Sequence, residues 1–361
     1  MTPRRTALAA VAALLAVLAV LAAGCGGDGG DRPADPARAA AERFLDRYLA
    51  SDGRVVRCDQ GGDTVSEGQA YAMLLAAATG DERRFDAAWR WTRRELQRDD
   101  GLLAWRWAGG RVVDPAPAAD ADLDAARALA LAARRFDRPG LRRQARRIGD
   151  AILRRETAGD LLVAGPWAIP GQVVNPSYDS PAAARVLGRL SQPDRWRRVR
   201  SVGIRTATTL TAGGRLPPDW AVVGSRSDSE PDPTTATAAA PPGGEDLAPS
   251  AYGFDAVRLP VRYAEACDPV ARRVAARLWP TLRAGDPAVL PRTPEGRGAE
   301  GAGRHAVALV GAAAAADAAG DAERRDELLD AAARLDAERP SYYGAAWVAL
   351  GRVLLGRPCG R

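Results

Sequence analysis

A chain of 361 residues, 47% hydrophobic and 27% charged, carries enough apolar content for a large core in one domain or two, which excludes a disordered polymer. Every basic side chain is Arg, and the formal charge of +6 is dispersed among Asp and Glu with no basic stripe interleaved with aromatics, which argues against a nucleic-acid partner. With a single His and no close pair of Cys, no metal site and no cofactor are expected, and His305 reads as a helix-start or core residue.

Residues 1–24 have the anatomy of an export signal: Arg4 and Arg5, an unbroken apolar run from Ala7 to Ala23, and the small Gly24 before Cys25. The ending Leu21-Ala22-Ala23-Gly24-Cys25 resembles a bacterial lipoprotein signal, in which Cys25 becomes the lipidated N-terminus, although Ala22 stands where a large aliphatic residue is usual. A soluble secreted form and an uncleaved anchor are the alternatives, since 17 apolar residues sit at the short limit for a membrane span. The expected location is the extracellular face of the cell membrane, or outside the cell. Residues 25–34, rich in Gly and Asp, read as a flexible tether. Lipidation of Cys25 would leave Cys58, Cys267 and Cys359, so one disulfide and one buried thiol are expected, with the pairing open.

From Asp35 to the end at Arg361 the chain reads as one domain of alternating helices and loops, with almost no strand-like runs. Helix starts are expected near Asp35, Ser66, Asp81, Asp120, Pro139, Tyr178, Pro193, Ser250, Asp268, Gly303, Asp321 and Ser341. Ala-rich members, from Ser66, Asp120, Tyr178, Ser250, Gly303 and Ser341, alternate with Arg- and Asp-rich amphipathic ones. The fold class is therefore all-α, built from helical hairpins whose apolar members are buried. Six hairpins suggest an inner ring wrapped by an outer ring, although periodicity by itself does not close the ring.

The loops between hairpins are long. Gln97 to Ala119 holds Trp105 and Trp107, Gly159 to Ser177 holds Trp167, and Gly213 to Pro249 holds Pro217-Pro218-Asp219-Trp220 before a low-complexity stretch. Ser225 to Asp246 is expected to be its mobile part. Trp89 and Trp91 are core residues on a helix, whereas Trp105 and Trp220 are candidates for stacking on the apolar faces of sugars.

Acids stand at the starts of three Ala-rich helices: Glu67, Asp120 with Asp122, and Asp255. Ser66-Glu67 alone is an ordinary helix start, with Ser66 the cap and an acid favoured by the helix dipole. If the inner helices open at one mouth, however, these acids converge. Carboxylates facing across a cleft beside exposed aromatics suit hydrolysis of a glycosidic bond, one acid protonating the leaving oxygen and another activating water.

Five ordered motifs then carry a family resemblance. They are Ser66-Glu67-Gly68-Gln69-Ala70-Tyr71-Ala72-Met73, Ala118-Ala119-Asp120-Ala121-Asp122-Leu123-Asp124-Ala125-Ala126, Asn175-Pro176-Ser177-Tyr178, Pro218-Asp219-Trp220, and Tyr252-Gly253-Phe254-Asp255-Ala256-Val257-Arg258-Leu259-Pro260. Together they resemble glycoside hydrolase family 8, over roughly Asp35 to Gly356. The resemblance implies an (α/α)6 barrel of six inner and six outer helices and an inverting enzyme acting on β-1,4-glucan, with chitosan or xylan the polymer of other members.

It also implies roles. Glu67 matches the general acid, Asp255 the general base, and Asp120 the carboxylate contacting the sugar beside the cleaved bond. Tyr71, Trp105, Asp122, Tyr178, Asp219, Trp220, Tyr252 and Arg258 are the candidates for substrate contact. Ala72, Ala119 and Ala125 depart from the usual residues without removing an acid. A proton-donating Glu67 must be desolvated and face Asp120, and inversion calls for a separation of roughly 6.5–9.5 Å between Glu67 and Asp255. The expected partner is a polysaccharide, bound by a monomer. A chitosanase of the same fold and a non-catalytic surface glycan-binding protein are the competing readings.

Overall fold

The computed structural model describes residues 35–226, 230–243 and 249–356. The export signal, the tether, Cys25 and Cys359 lie outside the described residues. Helices are numbered in chain order: α1 Pro36–Tyr48, α2 Ser66–Thr79, α3 Glu82–Glu95, α4 Ala119–Arg135, α5 Pro139–Arg155, α6 Pro181–Gly188, α7 Pro193–Leu210, α8 Leu259–Ala264, α9 Pro269–Ala276, α10 Trp279–Arg283, α11 Ala306–Ala318, α12 Ala322–Glu338 and α13 Tyr342–Leu355.

Side-chain size sorts them into two layers. In α11 the run Ala306 to Ala316 is buried all round, as only a helix without a polar face can be. Small residues also let inner helices approach closely: a Cβ on Gly311 would lie 2.7 Å from the Val257 carbonyl oxygen. In α3, by contrast, Phe85, Ala88, Trp89 and Thr92 are buried, a stripe at helical spacing with Arg on the remaining face. Burying Phe85 is worth roughly 1.5–3 kcal/mol. The Asp81 side chain caps α3 by accepting the Arg84 N–H at 2.9 Å, and Gly80 ends α2 in the left-handed conformation (φ 83°).

The packing closes a ring. Helix α2 packs on α4, α4 on α6, α6 on α8, α8 on α11, α11 on α13, and α13 back on α2, while α3, α5, α7, α9, α12 and α1 back them from outside. The protein is an (α/α)6 barrel.

Several boundaries differ from those expected. Ser66 is the first helical residue and makes no capping bond; Val65 holds the cap position, and the Ser66 N–H donates to the Trp105 carbonyl at 2.9 Å. Helix α6 starts at Pro181 rather than Tyr178, with Ser180 capping the Ala183 N–H. The segment from Ser250 stays irregular until a 3-10 turn at Ala256–Arg258 leads into α8. Gly303 belongs to a strand, Gly298–Arg304, paired with Val289–Arg292, and α11 begins only after His305, whose Nδ1 accepts the Val307 N–H at 3.1 Å.

The long loops hold short antiparallel strands that periodicity misses because most are only two to four residues long. Within Ser225 to Asp246, expected to be mobile, Thr237–Ala238 pairs with Ala221–Val222, which pairs with Val173–Val174, and Pro233 is buried beneath. Cys267 is disulfide-bonded, and among the described residues the free thiol, Cys58, is exposed rather than buried. No described helix is long and apolar enough to cross a membrane.

Candidate active site

The first motif is delivered by a small sheet. Thr64–Val65 pairs with Arg106–Ala108, Val65 opposite Arg106; just beyond, the Ser66 N–H meets the Trp105 carbonyl, which brings Glu67 beside the Trp105 ring. The Trp105 indole N–H donates to Glu67 Oε1 at 3.3 Å. Gln69 is a brace in this motif: its Oε1 accepts the Val55 N–H at 2.5 Å and its Nε2 donates to Thr92 Oγ1 at 2.9 Å.

Asp120, in the first turn of α4, is buried and accepts from Arg258 Nη1 at 2.8 Å. The same guanidinium donates through Nη2 to Asp255 Oδ1 at 2.5 Å, lies over the Tyr178 ring at 5.1 Å and reaches the Tyr71 hydroxyl at 3.4 Å. Asp255 keeps 32% of its side chain exposed, against 3% for Arg258. One buried cation thus ties two inner-helix starts together, and Asp255 is the acid of the two that stays partly exposed. No hydrogen bond joins Glu67 to Asp255 among the described residues.

Burial and the neighbouring Asp120 carboxylate push the Glu67 carboxyl up to about 7, against the pull of Arg258 and Arg57. Burial raises Asp120 as well, with Arg258 opposing. Asp120 bonds a guanidinium directly and Glu67 bonds none, so a proton shared within this group resides on Glu67.

The aromatics form two clusters beside Asp255. Tyr178, Trp220 and Trp167 succeed one another with centroids 6.1 and 6.3 Å apart, and Trp167 is 46% exposed. Asn175 explains the presentation of Tyr178: its Oδ1 accepts both the N–H and the hydroxyl of Ser177, at 3.2 and 2.7 Å, forming an Asx-type turn. The second cluster joins Phe254 to His305 at 5.0 Å and to Tyr343 at 6.3 Å, with Phe254 46% exposed.

Asp122, Tyr252 and Tyr71, expected as substrate contacts, are buried. Asp122 is fully buried, with Oδ1 accepting the Leu103 N–H at 2.9 Å, and it offers no surface to a sugar. Glu156 sits within hydrogen-bonding range of it; Asp122 Oδ2 and both Glu156 carboxyl oxygens have no other donor. Burial followed by Asp122 holds Glu156 well above the usual carboxylate range. Tyr252 is 1% exposed and contributes backbone bonds to Arg292. Tyr71 is 2% exposed and lies under Arg258, edge-on to Trp347. Glu67, Asp120, Asp255, Arg258, Tyr178, Trp105 and Trp220 are brought together. Asp219 is turned to the backbone around Asp255.

Sequence reading gave no role to Trp167, Phe254 or Tyr343: Trp167 and Tyr343 have no acidic neighbour to mark them, and Phe254 stands beside Asp255, which drew the attention instead. It also missed charges deeper in the ring. Arg262 makes a bidentate pair with Asp124, its Nη1 to Oδ1 bond 2.6 Å long, and Arg127 does the same with Glu265 at 2.7 and 2.5 Å. With Arg258–Asp120 these form three rungs between α4 and the α8 segment. Asp120/Asp124 and Arg258/Arg262, each four residues apart, were the available signal.

A family model described as Glycosyl hydrolases family 8 matches residues 8–240, more than half of the chain. The chain belongs to glycoside hydrolase family 8. As a family 8 member it is a glycosidase, and the matched stretch holds Glu67, Asp120, Tyr178 and Asp219 but stops short of Asp255. A probable endoglucanase of Novacetimonas hansenii is 34% identical over 249 residues, 64% of this chain and 68% of that protein. An endoglucanase of Xanthomonas axonopodis pv. citri is 32% identical over 201 residues, 50% of this chain and 51% of its own length. The chain therefore spans two thirds of one curated relative and about half of the other. Among solved structures, endo-beta-1,4-glucanase CMCax from Acetobacter xylinum superposes with a TM-score of 0.70 at 28% identity, covering 89% of this chain and 98% of that one.

Proposed function

We propose that this family 8 glycosidase cleaves β-1,4-glucan with inversion of configuration, Glu67 acting as the acid and Asp255 as the base. The carrying observation is the division of labour within one charge cluster. Burial and Asp120 push the Glu67 carboxyl up to about 7, while Asp255 stays partly exposed beside the Arg258 cation. Glu67 is then poised to protonate the departing glycosidic oxygen. Asp255 accepts a proton from the water that attacks the opposite face of the sugar ring. Asp120, buried and fixed by Arg258, supplies the negative charge that maintains the Glu67 proton from beneath the site. Trp105 and the Tyr178–Trp220–Trp167 series offer faces for stacking on the chain.

A neutral glucan suits this cluster better than chitosan. Asp120 and Asp255 share one guanidinium, which leaves little surplus negative charge to attract a cationic polymer. The likeness to endoglucanases supports the same choice. The apolar run from Ala7 to Ala23, just before Cys25, further supports an exported, lipid-anchored protein.

The test is hydrolysis of carboxymethylcellulose, lichenan and chitosan, with the anomer of the first product read by NMR. Release of α-anomer from the glucans is expected, and Glu67→Gln should lower kcat/KM by about 10³-fold or more with an unchanged circular-dichroism spectrum. Full activity in that variant, a β-anomeric first product, or binding without product would each refute the reading.

A further inference from the structure

Asp255 is held from two sides, and only one of them is Arg258. The other is Asp219, contributed by a different loop. Pro217 and Pro218 precede it with restricted backbones, and the loop is pinned on both flanks, the Leu216 N–H donating to Pro294 O at 2.8 Å and the Asp219 N–H to Ala251 O at 2.9 Å. Just beyond, the Trp220 N–H donates to Ser250 Oγ at 2.7 Å. On this fixed base Asp219 Oδ1 accepts three backbone N–H groups, those of Gly253 at 3.0 Å, Asp255 at 3.1 Å and Ala256 at 2.7 Å. The turn 253–256 is wrapped around one carboxylate oxygen. The fit depends on glycine, because a Cβ on Gly253 would lie 2.3 Å from Asp219 Oδ2. One of the three amides belongs to Asp255 itself, so its main chain is set by Asp219 while its carboxylate is set by Arg258.

We propose that Asp219 is a positioning residue, whose grip on the Gly253, Asp255 and Ala256 amides places the Asp255 carboxylate for proton transfer from the attacking water. The proposal rests on Asp255 being the base. Asp219 itself transfers no proton, and its effect on rate passes through Asp255 alone.

The experiment compares Asp219→Ala, Asp219→Asn, Gly253→Ala, Asp255→Asn and the double variant Asp219→Ala/Asp255→Asn on a soluble glucan and on an activated aryl β-glycoside, for which residual rates are measurable. Asp219→Ala is expected to lower kcat by about 10²-fold, the cost of displacing a reacting group by roughly 1 Å, with KM within about twofold. Asp219→Asn, which keeps an acceptor oxygen, should recover most of that loss. In the Asp255→Asn background, Asp219→Ala should cost nothing more, because the two residues act as a unit. Should Asp219→Ala fail to fold, Gly253→Ala carries the test, its methyl group dislodging the carboxylate with the same expected fall in kcat. Wild-type activity in Asp255→Asn would overturn the base assignment and the proposal with it. An inactive Asp255→Asn beside unchanged kcat in Asp219→Ala and Gly253→Ala would overturn the positioning role alone, as would multiplicative losses in the double variant or equal losses in the Asn and Ala variants.

Discussion

Glu67 stands where two influences oppose each other. A helix N-terminus favours the ionised form, whereas burial and the Asp120 charge favour the acid, and the latter prevail, at about 7. The same shift has consequences for activity and for stability. Activity requires the protonated form, so kcat/KM should fall as pH rises through about 7, and Asp120→Asn should move that alkaline limb to lower pH; a limb unmoved in Asp120→Asn would contradict the coupling. For stability, an acid whose pKa is raised on folding binds more protons folded than unfolded. Its contribution is fully present below the unfolded value of about 4.5 and is lost as pH rises through about 7. Glu67→Gln should therefore be more stable than the wild type above pH 7, by about 2 kcal/mol after discounting for the partial exposure of Glu67, and the difference should vanish near pH 4. Urea titrations at the two pH values measure it.

Between α4 and the α8 segment, buried ion pairs take the place of apolar packing. The Arg262–Asp124 pair is 1% exposed on both sides, so removing one partner strands a charge in the core. Arg262→Ala should cost about 3–5 kcal/mol in denaturant unfolding, and pairing Arg262→Met with Asp124→Leu should recover most of it. A small loss in the single variant would show that water reaches the pair. The helices themselves were legible: Ala-rich and Arg-rich segments alternate visibly, and Asp81, Ser341 and Pro139 mark starts within a residue. Asp120 and Asp122 show why the site was less so. Two residues apart on a helix, they point about 200° apart, so one can face the mouth while the other enters the wall. Sequence gives the two acids equal standing, and only the packing of Leu103 and Glu156 around Asp122 separates them. Likewise, nothing in Pro218-Asp219-Trp220 reveals that the carboxylate serves backbone amides 34 to 37 residues away.

At the scale of the molecule, the barrel gathers residues from the starts of its inner helices at one end. The anchoring expected at Cys25 would hold the chain at a membrane. Labelling with radioactive palmitate in a lipoprotein-exporting bacterial host should mark the wild-type chain and not Cys25→Ser, with the variant released to the soluble fraction; equal release of both would refute the anchor. Helix α8 is only six residues long and buried throughout. Arg262 within it, with Arg258 and Glu265 at its two ends, meets three charged partners on α4 that act as gear teeth. A slide of one residue disengages every tooth together, and the next meshing position lies a full turn away, about 5.4 Å. The jaw that bears Asp255 is consequently indexed rather than adjustable, so accommodation of differently shaped polymers falls to the aromatic loops around Trp167 and Trp220.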